Sequence, residues 1–93
     1  MPGVSRPEVG AIKLAACAKY GVTLGQLMGR SRHREIVRAR QFAMYLCRGL
    51  GMSYPAIGRA FGGRHHTTVM WACAKIEAED ERITAEAMET FPG

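Results

Sequence analysis

Five neighbouring side chains can hydrogen bond or carry charge: Arg64, His65, His66, Thr67 and Thr68. Arginine donates in a planar fork that fits phosphate oxygens and guanine edges, whereas histidine and threonine can donate or accept. This set suits the binding of an anion or a base edge better than covalent chemistry. Because no stretch of the chain offers a nucleophile with its base and acid partners, we expect a binding protein and not an enzyme.

The cluster lies between a glycine turn and an apolar helical pattern. Gly62 and Gly63 permit positive φ, so they can end one helix and let the next pack closely. The apolar residues that follow are spaced i, i+3, i+4, i+7, which predicts a buried helical stripe: Val69, Ala72, Cys73 and Ile76. This layout is typical of a helix-turn-helix, whose second helix presents its first residues to the major groove. An ordinary helical hairpin with threonine caps is the alternative.

Positive charge is concentrated in the middle of the chain. The net charge is +5, and between residues 30 and 64 a single acid, Glu35, accompanies the arginines 30, 32, 34, 38, 40, 48, 59 and 64. A solvated face normally mixes both signs, so this imbalance favours a phosphate-facing surface. From Lys75 onward acids predominate, which predicts a solvated face; the alternative is a segment that repels DNA and sets orientation, or that docks a basic partner.

The sequence gives little support for a disulfide framework, a metal or cofactor site, or a membrane partner. Cys17, Cys47 and Cys73 are far apart and form no CxxC pair, which predicts buried thiols in a reduced compartment. His65-His66 followed by Cys73 lacks the ligand spacing of a structural zinc site, so we expect no metal and no cofactor. No apolar run approaches the roughly 20 residues of a membrane span, and no membrane partner is expected.

The periodicity predicts an all-α domain of four or five helices, over residues 6–20, 24–28, 35–50, 53–61 and from 66 to at least 82, with an end as late as 88. Thr23 and Ser53 are suited to cap the second and fourth of these. We expect residues 1–5 to be disordered, residues 6–82 to form the binding domain, and residues 83–93 to form an acidic helix end or tail. One break is expected within the acidic stretch.

Taken together, these residues resemble the C-terminal DNA-binding domain of the bacterial chromosomal replication initiator DnaA. The match covers roughly residues 8–82. It includes Gly62-Gly63-Arg64, His66-Thr67-Thr68-Val69, Ala72-Cys73 and Lys75-Ile76, and upstream Arg38, Arg40, Gln41, Ala43, Met44, Leu46, Ser53, Pro55, Ile57, Gly58 and Phe61. The resemblance implies a compact, Trp-repressor-like bundle of about five helices that contains a helix-turn-helix.

The resemblance also implies roles for individual residues. Arg64, His66, Thr67 and Thr68 match positions that touch bases and phosphates in the major groove, and Arg32 matches an arginine that enters the adjacent minor groove. Positions on or near the phosphate-facing surface are matched by Arg30, Arg34, Arg38, Arg40, Gln41, Pro55 and Lys75. The implied partner is a DnaA box in double-stranded DNA, bound by one domain as a monomer in the bacterial cytoplasm, associated with the nucleoid. No small-molecule substrate is implied.

Three departures from the family pattern affect the expected function. His65 replaces an aspartate and Trp71 replaces a histidine, so base preference is expected to differ. The phosphate-cradling motif GxxxxGK[ST] is missing, so the chain is either an excised domain or a free-standing regulator of replication or transcription. The start at Met1 favours the free-standing case. A helix-turn-helix repurposed to bind a protein through His65 and Trp71 is the alternative function.

Overall fold

The computed structural model describes the backbone of residues 7–90 and the side chains of residues 8–79. Over this part of the chain the structure contains helices and no strand, as predicted. The helices are α1 (Pro7–Tyr20), α2 (Leu24–Met28), α3 (Arg34–Gly49), α4 (Tyr54–Ala60) and α5 (His66–Thr90). The predicted disorder of residues 1–5 concerns a segment outside the described residues. None of these helices is long and apolar enough to cross a membrane.

Local sequence signals set the helix ends. The Thr23 hydroxyl accepts from the Gln26 backbone N–H while the Gln26 side chain accepts from the Thr23 N–H, which forms a complete capping box for α2. The Ser53 hydroxyl accepts from the Ala56 N–H at 3.2 Å and caps α4. Both predicted caps are therefore confirmed. The predicted break in the acidic stretch is wrong, because residues 77–90 contain neither glycine nor proline and α5 continues to Thr90.

Helix α3 lies at the centre of the fold and packs against both α1 and α5. Its small residues Ala39, Ala43 and Cys47 are fully buried, which lets the neighbouring helices approach closely. The stripe predicted on α5 is buried as expected, with Val69 at 0% exposure. Leu50, predicted to be the last residue of this helix, is exposed and lies just beyond it, because α3 ends at Gly49.

The turn between α4 and α5 depends on Gly58 as well as on the two glycines recognised in the sequence. The Gly58 carbonyl accepts from the backbone N–H groups of Gly63 at 3.0 Å and Arg64 at 2.9 Å. A Cβ placed on Gly58 would lie 2.1 Å from the Arg64 carbonyl oxygen. Gly62 and Gly63 have φ values of 87° and 80°, in the left-handed region. The backbone of α4 thus touches the turn directly and fixes the direction in which α5 begins.

Candidate nucleic-acid interface

Four of the five clustered side chains are exposed at the start of α5, one directly before the helix and three in its first turn. His65, His66, Thr67 and Thr68 are all exposed, while Val69 behind them is buried. The Thr67 backbone N–H donates to His65 Nδ1 at 3.2 Å, so the imidazole ring caps the helix. The rings of His65 and His66 lie against each other with centroids 4.3 Å apart. This turn therefore offers hydrogen-bonding groups on an otherwise firmly packed helix.

Arg64 differs from its four neighbours because its side chain turns back toward α2. It is half-buried, and one of its Nη atoms donates to the Gly29 carbonyl oxygen. Its Nε is buried without a hydrogen-bond partner. Burial lowers the pKa of Arg64, and the nearby charge of Arg30 lowers it further. Such a cation is well placed to gain from an incoming anion, because its own surroundings do not neutralise it.

The family resemblance matched Arg40 to a position on or near the phosphate-facing surface. The structure buries it, with 7% exposure. Its guanidinium donates to four carbonyl oxygens: Leu27 at 2.8 Å, Gly29 at 2.9 Å, Gln26 at 3.1 Å and Ser31 at 3.2 Å. Burial lowers the pKa of Arg40, with a further contribution from the charge of Arg64. Four of its five N–H donors are occupied, so Arg40 positions the loop after α2.

That loop together with the first residue of α3, which we call the basic loop (residues 29–34), carries three exposed arginines: Arg30, Arg32 and Arg34. Its backbone is held from inside by Arg40, and the Ser31 hydroxyl accepts from the His33 N–H at 3.2 Å. Arg30 lines a cleft of about 210 Å³ together with Arg64, His65 and Thr68. The structure thus brings the basic loop and the first turn of α5 to one surface, although they are distant in sequence.

A second, larger cleft of about 590 Å³ lies between α3 and α5. Predicted site residues form much of its lining, and Trp71 joins them: Arg40, Gln41, Arg64, Thr68, Trp71 and Lys75. Gln41 Oε1 is buried there without a partner, whereas Lys75 is exposed and Trp71 is 80% exposed. The unpaired Gln41 Oε1 acceptor and Arg64 Nε donor lie next to exposed cationic and aromatic side chains. This cleft is therefore suited to a ligand with both polar and apolar edges.

Six predicted site residues line neither of these two clefts: Arg32, Arg34, Arg38, Pro55, His66 and Thr67. Arg38 forms a two-bond ion pair with Glu79 of α5, with distances of 3.2 and 2.9 Å, and the hydrogen bond and charge of Glu79 raise the pKa of Arg38. Its charge is therefore partly neutralised within the domain. Pro55 is exposed in the first turn of α4 and lines neither cleft. Within the described residues, no group of three or more His, Cys, Asp or Glu side chains could hold a metal ion.

Two further residues support this surface, and only one of them, Gly58, carried a signal in the sequence. Lys13 of α1 donates to the Ala60 carbonyl at 2.6 Å and lies 4.9 Å from the centre of the Phe61 ring, so it binds the end of α4. Ala60 is 47 residues from Lys13, and no local pattern marks the contact. Gly58 matched the family pattern, and a glycine inside a helical segment was the available signal for close packing.

Comparison with known proteins agrees with this architecture. The family model described as bacterial dnaA protein helix-turn-helix matches residues 9–76. The chain is 45% identical over 78 residues to the chromosomal replication initiator protein DnaA of Thermomicrobium roseum, which covers 80% of this chain and 17% of that protein. Identity to the protein of the same name from Picosynechococcus is 56% over 71 residues, covering 75% and 15%.

A third relative, the DnaA protein of Limosilactobacillus reuteri, is 41% identical over 90 residues, or 90% of this chain and 20% of that protein. The chain therefore spans a fifth or less of the length of these relatives. The family match extends from α1 into α5 and includes both helices of the helix-turn-helix. The chain belongs to the bacterial DnaA helix-turn-helix family, a family of DNA-binding domains.

Proposed function

We propose that this domain binds double-stranded DNA at DnaA-box-like sites, as a monomer, in the bacterial cytoplasm. The first turn of α5 enters the major groove, and the basic loop reaches the adjacent minor groove with Arg32. The observation that carries this proposal is the joining of the two elements through Gly29, whose carbonyl accepts from both Arg40 and Arg64. This connection supports simultaneous contact of one duplex by the loop and the helix.

Within this binding mode, the residues divide according to their surroundings. Thr67 and Thr68 are exposed on the helix and contact base edges, while Arg30, Arg34, Gln41, Pro55 and Lys75 face phosphates. These residues come from three helices and the basic loop, so together they follow the phosphate backbone over an extended stretch of the duplex. Arg40 and Arg64 act mainly by holding the loop and the turn, and they add to the positive field that attracts DNA.

We further propose that the domain contributes to replication or transcription by occupying or competing for such sites. The relatives are named as chromosomal replication initiators, and the matched portion is their helix-turn-helix. The role follows from DNA binding alone and does not require an enzyme activity of this domain. The same function would be served by a free-standing regulator or by the DNA-binding part of a longer initiator.

Fluorescence anisotropy with labelled duplexes tests the proposal. We expect a DnaA box to bind more tightly than a scrambled duplex, and the logarithm of affinity to fall with log salt by about 0.9 per phosphate neutralised. Arg32→Ala and Thr68→Ala should each weaken binding to the box by about five-fold or more. Lys19→Ala is the control, because Lys19 is an exposed cation on α1 that packs over Phe42. Unchanged affinity in both site variants would contradict the binding mode.

One observation favours a second candidate function, binding of a partner protein. Trp71 is 80% exposed next to the exposed Met70, and tryptophan is enriched at the centres of protein interfaces. An interface anchored on these side chains would depend little on salt, in contrast to one made of arginine–phosphate contacts. The salt series described above therefore separates the two candidates.

A further inference from the structure

His65 caps α5 in a way that fixes where its proton lies. The Thr67 backbone N–H points at His65 Nδ1 from 3.2 Å, and the Thr67 hydroxyl oxygen lies 2.7 Å from the same nitrogen. A proton on Nδ1 would face the amide hydrogen of Thr67. Nδ1 must therefore be the acceptor for the amide, and the Thr67 hydroxyl donates to it as well. The proton of the neutral ring is consequently on Nε2.

This arrangement gives the exposed end of the ring a single hydrogen-bonding character. Nε2–H can only donate, because its nitrogen lone pair belongs to the aromatic system of the ring. The neighbouring His66 ring, at 4.3 Å between centroids and 32° between planes, restricts rotation of His65 from one side. His65 is exposed, so this donor is available to a ligand. The capping bond and the stacked ring together hold the donor in place before any ligand arrives.

We propose that His65 is a specificity-determining residue that selects a base with a hydrogen-bond acceptor on its major-groove edge, guanine above all. The inference rests on the proposed function, since it requires the first turn of α5 to enter the major groove. Guanine presents two acceptors there, N7 and O6, whereas cytosine presents the N4 amino donor. A fixed donor binds the acceptors of guanine and is repelled by the amino donor of cytosine. An aspartate at this position, as in the family pattern, accepts only and would favour the opposite edge.

Thr67 takes part in a different manner. Its hydroxyl oxygen lies 2.7 Å from His65 Nδ1, and its methyl group stays free to contact a thymine methyl. Removing this hydroxyl leaves the amide bond to Nδ1 in place and hence leaves the proton on Nε2. Thr67→Val therefore removes the hydroxyl group while the backbone N–H at this position still donates to His65 Nδ1. It serves as a matched variant at the same turn.

The experiment is selection from a randomised duplex library, followed by affinity measurements on single-base-pair variants of the selected site. The wild-type domain and the variants His65→Asp, His65→Ala and Thr67→Val are compared. Aspartate is a favourable N-cap, so His65→Asp should fold, and circular dichroism checks this for all four proteins. The added negative charge lowers affinity for every sequence alike, so the readout is the ratio of affinities for guanine and cytosine at one position.

We expect the wild-type domain to prefer guanine over cytosine at one position by roughly 5- to 150-fold, and His65→Asp to reverse this preference at the same position. His65→Ala should abolish the preference, whereas Thr67→Val should weaken binding through its own lost contact and keep the ratio of affinities for guanine and cytosine at this position. If the wild type and His65→Asp select one specific site with the same base at every position, the inference is overturned while the proposed function stands. If neither protein prefers any sequence to a scrambled duplex, the proposed function fails and the inference with it.

Discussion

Arg40 and Arg64 donate to the same carbonyl oxygen, that of Gly29, although they belong to α3 and to the turn before α5. Two like charges are held close together there, and the charge of Arg64 contributes to the lowered pKa of Arg40. Neither arginine has a carboxylate partner among the described side chains. The carbonyl dipoles accept the hydrogen bonds without cancelling the charge, so the positive field persists on this side of the domain.

Arg40→Lys is expected to destabilise the domain although it conserves the charge. A lysine ammonium has three donors at one point, and it cannot reach four carbonyl oxygens arranged around a planar guanidinium. At least one or two of these buried or partly buried carbonyls would lose their partners, at a cost of about 2–4 kcal/mol in the free energy of unfolding. Urea denaturation measures this loss. Arg34→Lys, on an exposed residue of the same basic region, is the control and should stay within about 0.5 kcal/mol.

Arg40→Lys also tests whether DNA binding depends on the position in which Arg40 holds the basic loop. We expect Arg40→Lys to weaken DNA binding by about ten-fold or more under conditions where the protein remains folded, because the arginines of the basic loop lose their fixed position. Equal DNA affinity for Arg40→Lys and the wild type, with the fold intact, would mean that the loop does not need this anchor.

Gly58→Ala is expected to lower stability by about 3 kcal/mol. The new methyl group would lie 2.1 Å from the Arg64 carbonyl oxygen, and the backbone on both sides of the turn would have to move apart. Gly10→Ala is the matched control, because Gly10 is also helical but has no atom within 4 Å of an added Cβ. That substitution should raise stability by about 0.5–1 kcal/mol. Similar thermal midpoints for the two variants would contradict the close approach at Gly58.

The features that sequence analysis predicted correctly are those set by local signals. The caps at Thr23 and Ser53 act within three residues, and the buried stripe of α5 follows from helical periodicity. The turn at Gly62 was predicted for the same reason. Leu50 shows the limit of this approach, since it fits the period of α3 but lies beyond the last helical residue.

The side-chain partners of the arginines could not be predicted in the same way. Arg40 bonds to carbonyls 9 to 14 residues away, and Arg38 pairs with Glu79 at a separation of 41 residues. In the sequence, an arginine that will meet carbonyl oxygens is indistinguishable from one that will meet solvent or phosphate. The clustering of charge indicated the correct region of the surface, and only the tertiary structure shows which cations are already engaged.

Glu79→Gln is expected to change DNA binding more than stability. The Arg38–Glu79 pair is about one-third exposed on each side, and such pairs contribute about 0.2–1 kcal/mol. Removal of the carboxylate would free Arg38 and remove a negative charge, so affinity for DNA should rise a few-fold. If Arg38 then contacts a phosphate, the salt slope should steepen by about one. Glu77→Gln, on an exposed acid of the same helix, controls for the charge alone.

Cys47 and Cys73 are expected to resist alkylation in the folded domain. Burial is the main cause that raises the pKa of each thiol, so the reactive thiolate is disfavoured. Mass spectrometry after iodoacetamide treatment should show slow labelling of both in buffer and rapid labelling in urea. Because each pKa is higher in the folded state, their contribution to stability is complete below the ordinary thiol pKa of about 8.5 and is lost as pH rises above it. Rapid native labelling at neutral pH would contradict this burial.

Trp71 is the only tryptophan, so its emission reports directly on what covers it. It lines the same cleft as Thr68 and Lys75 and is 80% exposed, so we expect DNA binding to quench or shift its fluorescence. Trp71→Ala should weaken DNA binding several-fold at every salt concentration without a change in slope, because no charge is lost. Lys75→Ala should instead reduce the salt slope by about one. Unchanged emission on binding, together with unchanged affinity of Trp71→Ala, would place Trp71 away from the duplex and favour a protein partner at this surface.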